Sequence, residues 1–150
     1  MATALVWLLT SAVRTQTPTS APLAGVTRLD CLFTASASAT WVAGEPRVEV
    51  ARGMAFRFQI EDIDTNAGSA VVRLGAASTA IVARAAGPNV HFIDHRSEGS
   101  MAMTTVLAGG GRATMFRAIH SRTDYRAYDG PGFASVPQAE QLYGYCQAVP

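Results

Sequence analysis

The sequence predicts an all-β fold, a single antiparallel domain of about eight or nine short strands. Apolar and polar residues alternate with a period of two through most of the chain, and no stretch has the spacing of an amphipathic helix of three turns or more. Turn-forming Gly, Pro, Asn and Asp separate these stretches at short intervals. Because short links join consecutive strands, an up-and-down barrel is favoured over a two-sheet sandwich.

Length and composition support one folded domain. The chain has 150 residues, of which 49% are hydrophobic and only 15% charged, so it can bury a core and is not of the disordered class. All twelve basic residues are arginine, and they occur singly. With a net charge of +1 and no basic run, the sequence lacks the electrostatic pattern of a nucleic-acid-binding protein.

Residues 1–24 are expected to be a signal-peptide-like or flexible segment preceding a β domain at 25–150. An apolar run at 4–13 has the length of a signal-peptide core and is too short to span a bilayer. Small residues offer cleavage sites after Ala12 or Ala21. A short buried helix or a disordered tail is the alternative. We therefore expect a periplasmic or secreted protein with no transmembrane span in the mature chain.

The chain contains two cysteines, Cys31 and Cys146. In an oxidising compartment such a pair forms a structural disulfide, which would place the first and last strands side by side. The alternative is two unrelated buried thiols in a cytosolic protein. No His or Cys lies at ligand spacing from either cysteine, so no metal site is expected there.

The alternation places each strand in turn. Strand 55–61 is the clearest, with Phe56, Phe58 and Ile60 facing inward. Segment 36–44 is rich in small residues and is expected to be a loop whose Trp41 folds back on the core. The strands are predicted at 29–33, 47–52, 55–61, 69–75, 78–84, 90–95, 101–107, 113–122 and 141–149.

A long loop is predicted at 124–141, with a short helical turn possible at 137–142 because proline is tolerated at a first helical position. Loops of this length in a compact domain tend to be functional or mobile. The many alanines around 76–86 predict a closely packed region rather than a roomy cavity.

Several short motifs occur together in a fixed order. They include Gly-Pro-Asn-Val-His-Phe-Ile at 87–93, Phe-Arg-Ala-Ile-His-Ser-Arg at 116–122 and Gln-Leu-Tyr-Gly-Tyr-Cys at 141–146. In this order the chain resembles a group of small exported bacterial β proteins of unassigned function, over residues 29–146. The segment 74–78 departs from that pattern, which has an Asn-containing turn there. The resemblance implies export and a disulfide, and no chemistry.

The cluster His120, Ser121, Arg122 and Asp124 suggests a hydrolase at first sight. In a strand, however, His120 and Ser121 point to opposite faces, so the imidazole cannot serve as base for its neighbour's hydroxyl. No nucleophile-elbow motif is present either. We expect His120 to be a hydrogen-bonded, partly buried side chain, and Arg122 and Asp124 to anchor the long loop.

Two further histidines, His91 and His95, share a strand face but would lie about 13 Å apart, too far to chelate one ion. No metal and no cofactor are therefore expected. The aromatic residues around the long loop are either core or an interaction surface, because Tyr offers both apolar area and a polar tip. The candidate binding residues are Trp41, His120, Arg122, Tyr125, Tyr128, Phe133, Tyr143 and Tyr145.

Three functions remain in view. The favoured one is an exported non-catalytic β domain, a binding or structural module of the cell envelope with a protein or envelope partner. The alternative is a lipocalin-like carrier of a small apolar ligand, which a cavity of a few hundred Å³ would favour. A hydrolase using His120 would require that side chain to face solvent and to bond both a carboxylate and a hydroxyl.

Overall fold

The computed structural model describes residues 23, 25–96, 99–109, 114–124 and 138–150. Each strand in this part of the chain pairs antiparallel with the next, and the last pairs with the first, which closes an up-and-down barrel. The prediction of a single all-β antiparallel domain is confirmed. The strands are β1 (Leu29–Val42), β2 (Glu45–Asp64), β3 (Ser69–Leu74), β4 (Ala77–Ala86), β5 (Asn89–His95), β6 (Met101–Leu107), β7 (Met115–Asp124) and β8 (Gln138–Ala148).

The core lies inside the barrel and is built from every second residue of each strand, as the alternation predicts. Phe58 and Ile60 face inward as predicted, while Phe56 is only partly buried. Alanines of the middle strands also face inward, and Leu23 packs on the core from the chain's N-terminal side. The fully buried large side chains are Phe33, Leu29, Ile60, Val106 and Cys146.

The first and last strands meet at a covalent seam. Cys31 and Cys146 are directly opposite on β1 and β8 and form the predicted disulfide, with an S–S distance of 1.98 Å. Both sulfurs lie inside the barrel, since the two cysteines are buried. Two residues away, a Cβ added to Gly144 would collide with the backbone of Leu32 and Phe33, so β8 approaches β1 more closely here than a side chain allows.

Not all strands are short, and one predicted loop is absent. Residues 36–42 belong to β1, and β2 spans 20 residues, with a register shift between the pairs Phe33–Phe56 and Ala35–Arg52. The turn between them is only Ala43-Gly44, with φ of 54° and 85°, values typical of a two-residue hairpin turn. Because this turn matches the strand twist, the hairpin pairs to its tip. Trp41 is consequently 51% exposed, so its predicted packing on the core is wrong.

The final strand begins earlier than predicted. Residues from Gln138 onward pair with both β1 and β7, so the helical turn suggested at 137–142 is wrong from 138 onward. Partners on both sides hold this segment extended, which overrides a proline-initiated turn. The signal-peptide-like segment and most of the predicted long loop lie outside the described residues.

Candidate functional site

Inward-facing residues at one end of the barrel enclose a cavity of about 410 Å³. We call this the His120 end. Its wall is apolar below, with Phe56, Phe58 and Phe92, and charged near the rim, with Asp94, Arg96 and Arg122 among others. On β7 the inward-facing residues are Phe116, Ala118 and His120. The alternation that places apolar side chains in the core therefore also turns a polar side chain inward where the strand leaves the core.

His120 lies at the boundary between these two zones. Its ring centroid is 5.8 Å from Phe33, 5.8 Å from Phe56 and 5.3 Å from Phe58. Its Nδ1 shares a hydrogen bond of 2.9 Å with Thr104 Oγ1. The other ring nitrogen, Nε2, makes no hydrogen bond within the described residues, so it is the polar atom that the imidazole can offer to a bound molecule.

The imidazole of His120 is uncharged at neutral pH. Burial lowers its pKa from the ordinary 6.5 to about 4, and the positive charge of Arg122 acts in the same direction, while Asp94 opposes it. A neutral imidazole has one donor and one acceptor nitrogen. Because one nitrogen is committed to Thr104, His120 presents a single hydrogen-bonding group without charge.

The charges at the rim are paired with one another. Arg96 contacts Asp94 at 3.2 Å, and Arg122 contacts Glu140 at 2.7 Å and Asp124 at 3.8 Å. The long loop that Arg122 and Asp124 are predicted to anchor lies outside the described residues, so that role stays a prediction. Two arginines against three carboxylates leave a formal charge of −1 at this end, and both guanidinium groups already have partners.

The predicted binding residues do not form one site. His120 and Arg122 line the cavity. Tyr143 and Tyr145 are 41% and 50% exposed on the outer face of β8, and Trp41 is on the outer face of the β1–β2 hairpin. Three of the candidates lie outside the described residues: Tyr125, Tyr128 and Phe133.

Sequence reasoning missed Thr104, Asp94 and the contribution of the three phenylalanines around His120. The pairing of consecutive strands could have identified Thr104 as a neighbour of His120. An up-and-down barrel aligns β6 with β7, and this register places Thr104 directly opposite His120. Of the alanines at 76–86, for which a closely packed region was predicted, only Ala83 is buried, and Ala77 lines the cavity instead.

Two other hollows differ in character. One of about 300 Å³ lies at the opposite end, beside Leu23 and Phe92. Another, of about 620 Å³, is larger but lies on the outer face of β1 and β2, where Asp30 and Arg57 point away from the barrel. An outer-face hollow has no enclosing wall opposite the sheet, whereas the His120 end surrounds a guest with strands. We therefore treat the His120 end as the candidate site.

No group of three or more His, Cys, Asp or Glu in the described part of the chain could hold a metal ion. No helix in the same part is both long and apolar enough to cross a bilayer.

Comparisons of the chain with protein-family models, curated proteins and solved structures found no match. The resemblance to small exported β proteins therefore stays a prediction.

Proposed function

We propose that this domain is a non-catalytic binding protein that takes a small, largely apolar and uncharged ligand into the His120 end of the barrel. The cavity carries this proposal. Its volume of about 410 Å³ lies in the range of small-molecule sites, about 300 to 1,000 Å³. Its apolar wall and few convergent polar groups are the usual composition of such sites.

The charges of the site favour an uncharged ligand. An anion would meet a rim with a net formal charge of −1, whose arginines are already paired. An apolar body instead gains from contact with Phe56 and Phe58. One donor or acceptor on the ligand then bonds His120 Nε2, which orients the molecule in the cavity.

A catalytic role for His120 is less well supported. Its hydrogen-bond partner is a threonine hydroxyl, and no carboxylate bonds the ring within the described residues. With a pKa of about 4, the imidazole is a weak base at neutral pH. These features are expected of a polar anchor in a binding site rather than of a general base.

We also propose that the domain is exported to the periplasm or secreted. The Cys31–Cys146 disulfide supports this, because structural disulfides persist in oxidising compartments and are rare in the cytosol. The predicted signal-peptide-like segment points the same way. A protein or cell-envelope partner, which the sequence favours, is compatible with ligand binding because the partner would contact the outer face of the barrel and the ligand would lie inside it.

Fluorescence titration tests the ligand proposal. The probes are neutral N-phenyl-1-naphthylamine and anionic 1-anilinonaphthalene-8-sulfonate, which have similar apolar bodies. We expect saturable binding of the neutral probe and weaker binding of the anion. Ala102→Phe, which places a ring in the cavity, should abolish binding.

The matched control is Ala80→Phe, the same substitution at an exposed position on the outer face of β4. It should bind the probe as the wild type does. Binding that survives Ala102→Phe, or that both substitutions reduce equally, would locate the probe elsewhere and contradict the proposal.

A further inference from the structure

β2 extends well past the end of β3, which leaves one edge of the β1–β2 hairpin unpaired, while β1 pairs with β8 as far as Ala39. β3 pairs with β2 only from Gln59 onward, where Gln59 lies opposite Arg73. Within the described residues, β2 from Glu45 to Phe58 therefore has a partner on the β1 side alone. A long exposed strand edge is a template for pairing with another strand.

The outer face of this hairpin is apolar. Val48 and Val50 are each 69% exposed, and Trp41 is 51% exposed. The pairing of Ala39 with Val48, and of Ala37 with Val50, shows that these side chains share one face. Burying them would be favourable, because apolar surface removed from water contributes to association.

The hydrogen-bonding groups of β2 alternate in direction. In a two-residue hairpin the residues that flank the turn, here Val42 and Glu45, bond each other, and every second residue of β2 then points its backbone groups away from β1. Pro46, Val48 and Val50 are the residues that point to the free edge. Pro46 lacks an N–H, as is common on an edge strand. Val48 and Val50 offer both a donor and an acceptor.

We propose that β2 pairs antiparallel with β2 of a second copy of this chain, about a two-fold axis at Val48. In this register Val48 faces Val48, and Arg47 faces Glu49 of the second copy. By symmetry, Glu49 of the first copy faces Arg47 of the second. The edge thus complements itself in both charge and hydrogen bonding, as a symmetric interface requires.

The charge pattern selects this register over its neighbours. An axis at Arg47 would set arginine against arginine, and an axis at Glu49 would set glutamate against glutamate, both of which are destabilising for directly opposed residues. An axis at Val50 would place Val48 opposite Arg52 and lose both charge pairs. With the axis at Val48, the apolar outer faces of the two copies also join into one continuous surface.

Sedimentation equilibrium over a concentration series tests the pairing. The wild-type chain should reach a dimer as concentration rises. Val48→Pro removes an N–H that points to the edge and leaves the ladder to β1 intact, so it should raise the dissociation constant by about tenfold or more. At concentrations low enough for the wild type to be monomeric, its far-UV circular dichroism and thermal midpoint should match the wild type, which shows that the hairpin is folded.

Charge reversal tests the register. Arg47→Glu alone and Glu49→Arg alone should each weaken the dimer by about tenfold, because each sets like charges opposite one another at two symmetric positions. The double variant R47E/E49R should restore wild-type affinity. A chain that stays monomeric at its highest soluble concentration overturns the proposal, including the case in which this edge pairs only with a strand of another protein. A dimer unaffected by Val48→Pro, or not restored by the double reversal, overturns it as well.

Discussion

His120 and Thr104 lie directly opposite each other on neighbouring strands and join their side chains inside the barrel, with 2.9 Å between Nδ1 and Oγ1. This bond fixes a polar ring among three phenylalanines at the base of the cavity. The outer face carries a counterpart, because His91 and Thr105 are also opposite each other and are bonded at 2.9 Å. The His120–Thr104 pair lies inside the barrel and the His91–Thr105 pair on its outer face, so substitutions in the outer pair serve as controls for the same substitutions in the inner pair.

The first prediction concerns pH. Burial lowers the pKa of His120 to about 4, so between pH 6.5 and 4 the unfolded chain binds a proton more readily than the folded one. Stability should therefore fall as pH drops through this window, by about 3 kcal/mol at most. His120→Gln should lose this component of the acid destabilisation in urea unfolding measured at pH 7 and pH 4.5.

The control for that measurement is His91→Gln, which removes the same type of hydrogen bond from the outer face. It should retain the wild-type loss of stability between the two pH values. Equal behaviour of the two variants would show that the acid sensitivity does not arise at His120. The charged groups that line the cavity with His120 are Asp94, Arg96, Arg122 and Asp124, and Glu140 contacts Arg122; all are unchanged in both variants.

The second prediction concerns the anchoring hydroxyl. Thr104→Val keeps the shape of the side chain but leaves Nδ1 of His120 without a partner, which costs about 1 to 3 kcal/mol in a buried setting. Thr105→Val removes the corresponding bond on the outer face and should cost less, because Thr104 is buried and Thr105 is only partly buried. Urea unfolding at pH 7 compares the two variants. A larger loss for Thr105→Val would mean that His120 does not depend on Thr104.

The third prediction concerns the disulfide that joins β1 and β8. Replacing Cys31 and Cys146 together by alanine opens a cross-link between residues 115 apart in sequence. In the chain-entropy model such a loop contributes about 4 to 5 kcal/mol. The double variant should lose stability of this order in guanidinium unfolding, whereas adding reductant to it should change nothing further. Wild-type stability in the double variant would show that the disulfide contributes little.

The fourth prediction concerns Gly144, which lies between two outward tyrosines in the motif Tyr-Gly-Tyr-Cys. A methyl group there would meet the backbone of Leu32 and Phe33, and a backbone can move away only by disturbing β1. Gly144→Ala should destabilise the fold by about 2 kcal/mol or more. Gly109→Ala is the control, because open space surrounds that position. Thermal unfolding of both variants should differ clearly.

The barrel could be predicted from the sequence because the features that specify it, the alternation within each strand and the short links between strands, lie close together along the chain. Alternation of Phe56, Phe58 and Ile60 with polar residues fixes an inner and an outer face, and the short links fix the order of the strands. The disulfide followed from composition, and Cys31 opposite Cys146 agrees with it. The full length of β1 and β2 could not be predicted from the sequence. Ala and Ser alternate at 35–39, and these two residue types differ too little in hydrophobicity to show the alternation that marks a strand.

The candidate site was harder to predict because it depends on register. His120 could be identified as a partly buried side chain, but Thr104 and Asp94 become its neighbours only when β5, β6 and β7 are aligned. Trp41 was misplaced for a related reason. Its position depends on whether residues 36–44 form a loop or a paired strand, and the tight Ala43-Gly44 turn, with two positive φ angles, lets β1 and β2 pair to the tip with Trp41 on the outer face.

Ligand binding at the His120 end is tested most directly by nuclear magnetic resonance, with the neutral probe N-phenyl-1-naphthylamine added to isotope-labelled protein. Shifts should concentrate at Ala102, Thr104 and His120, and should be lost in the Ala102→Phe variant. Perturbation confined to the outer-face residues Asp30, Arg57 and Arg73, or none at all, would contradict a ligand site inside the barrel.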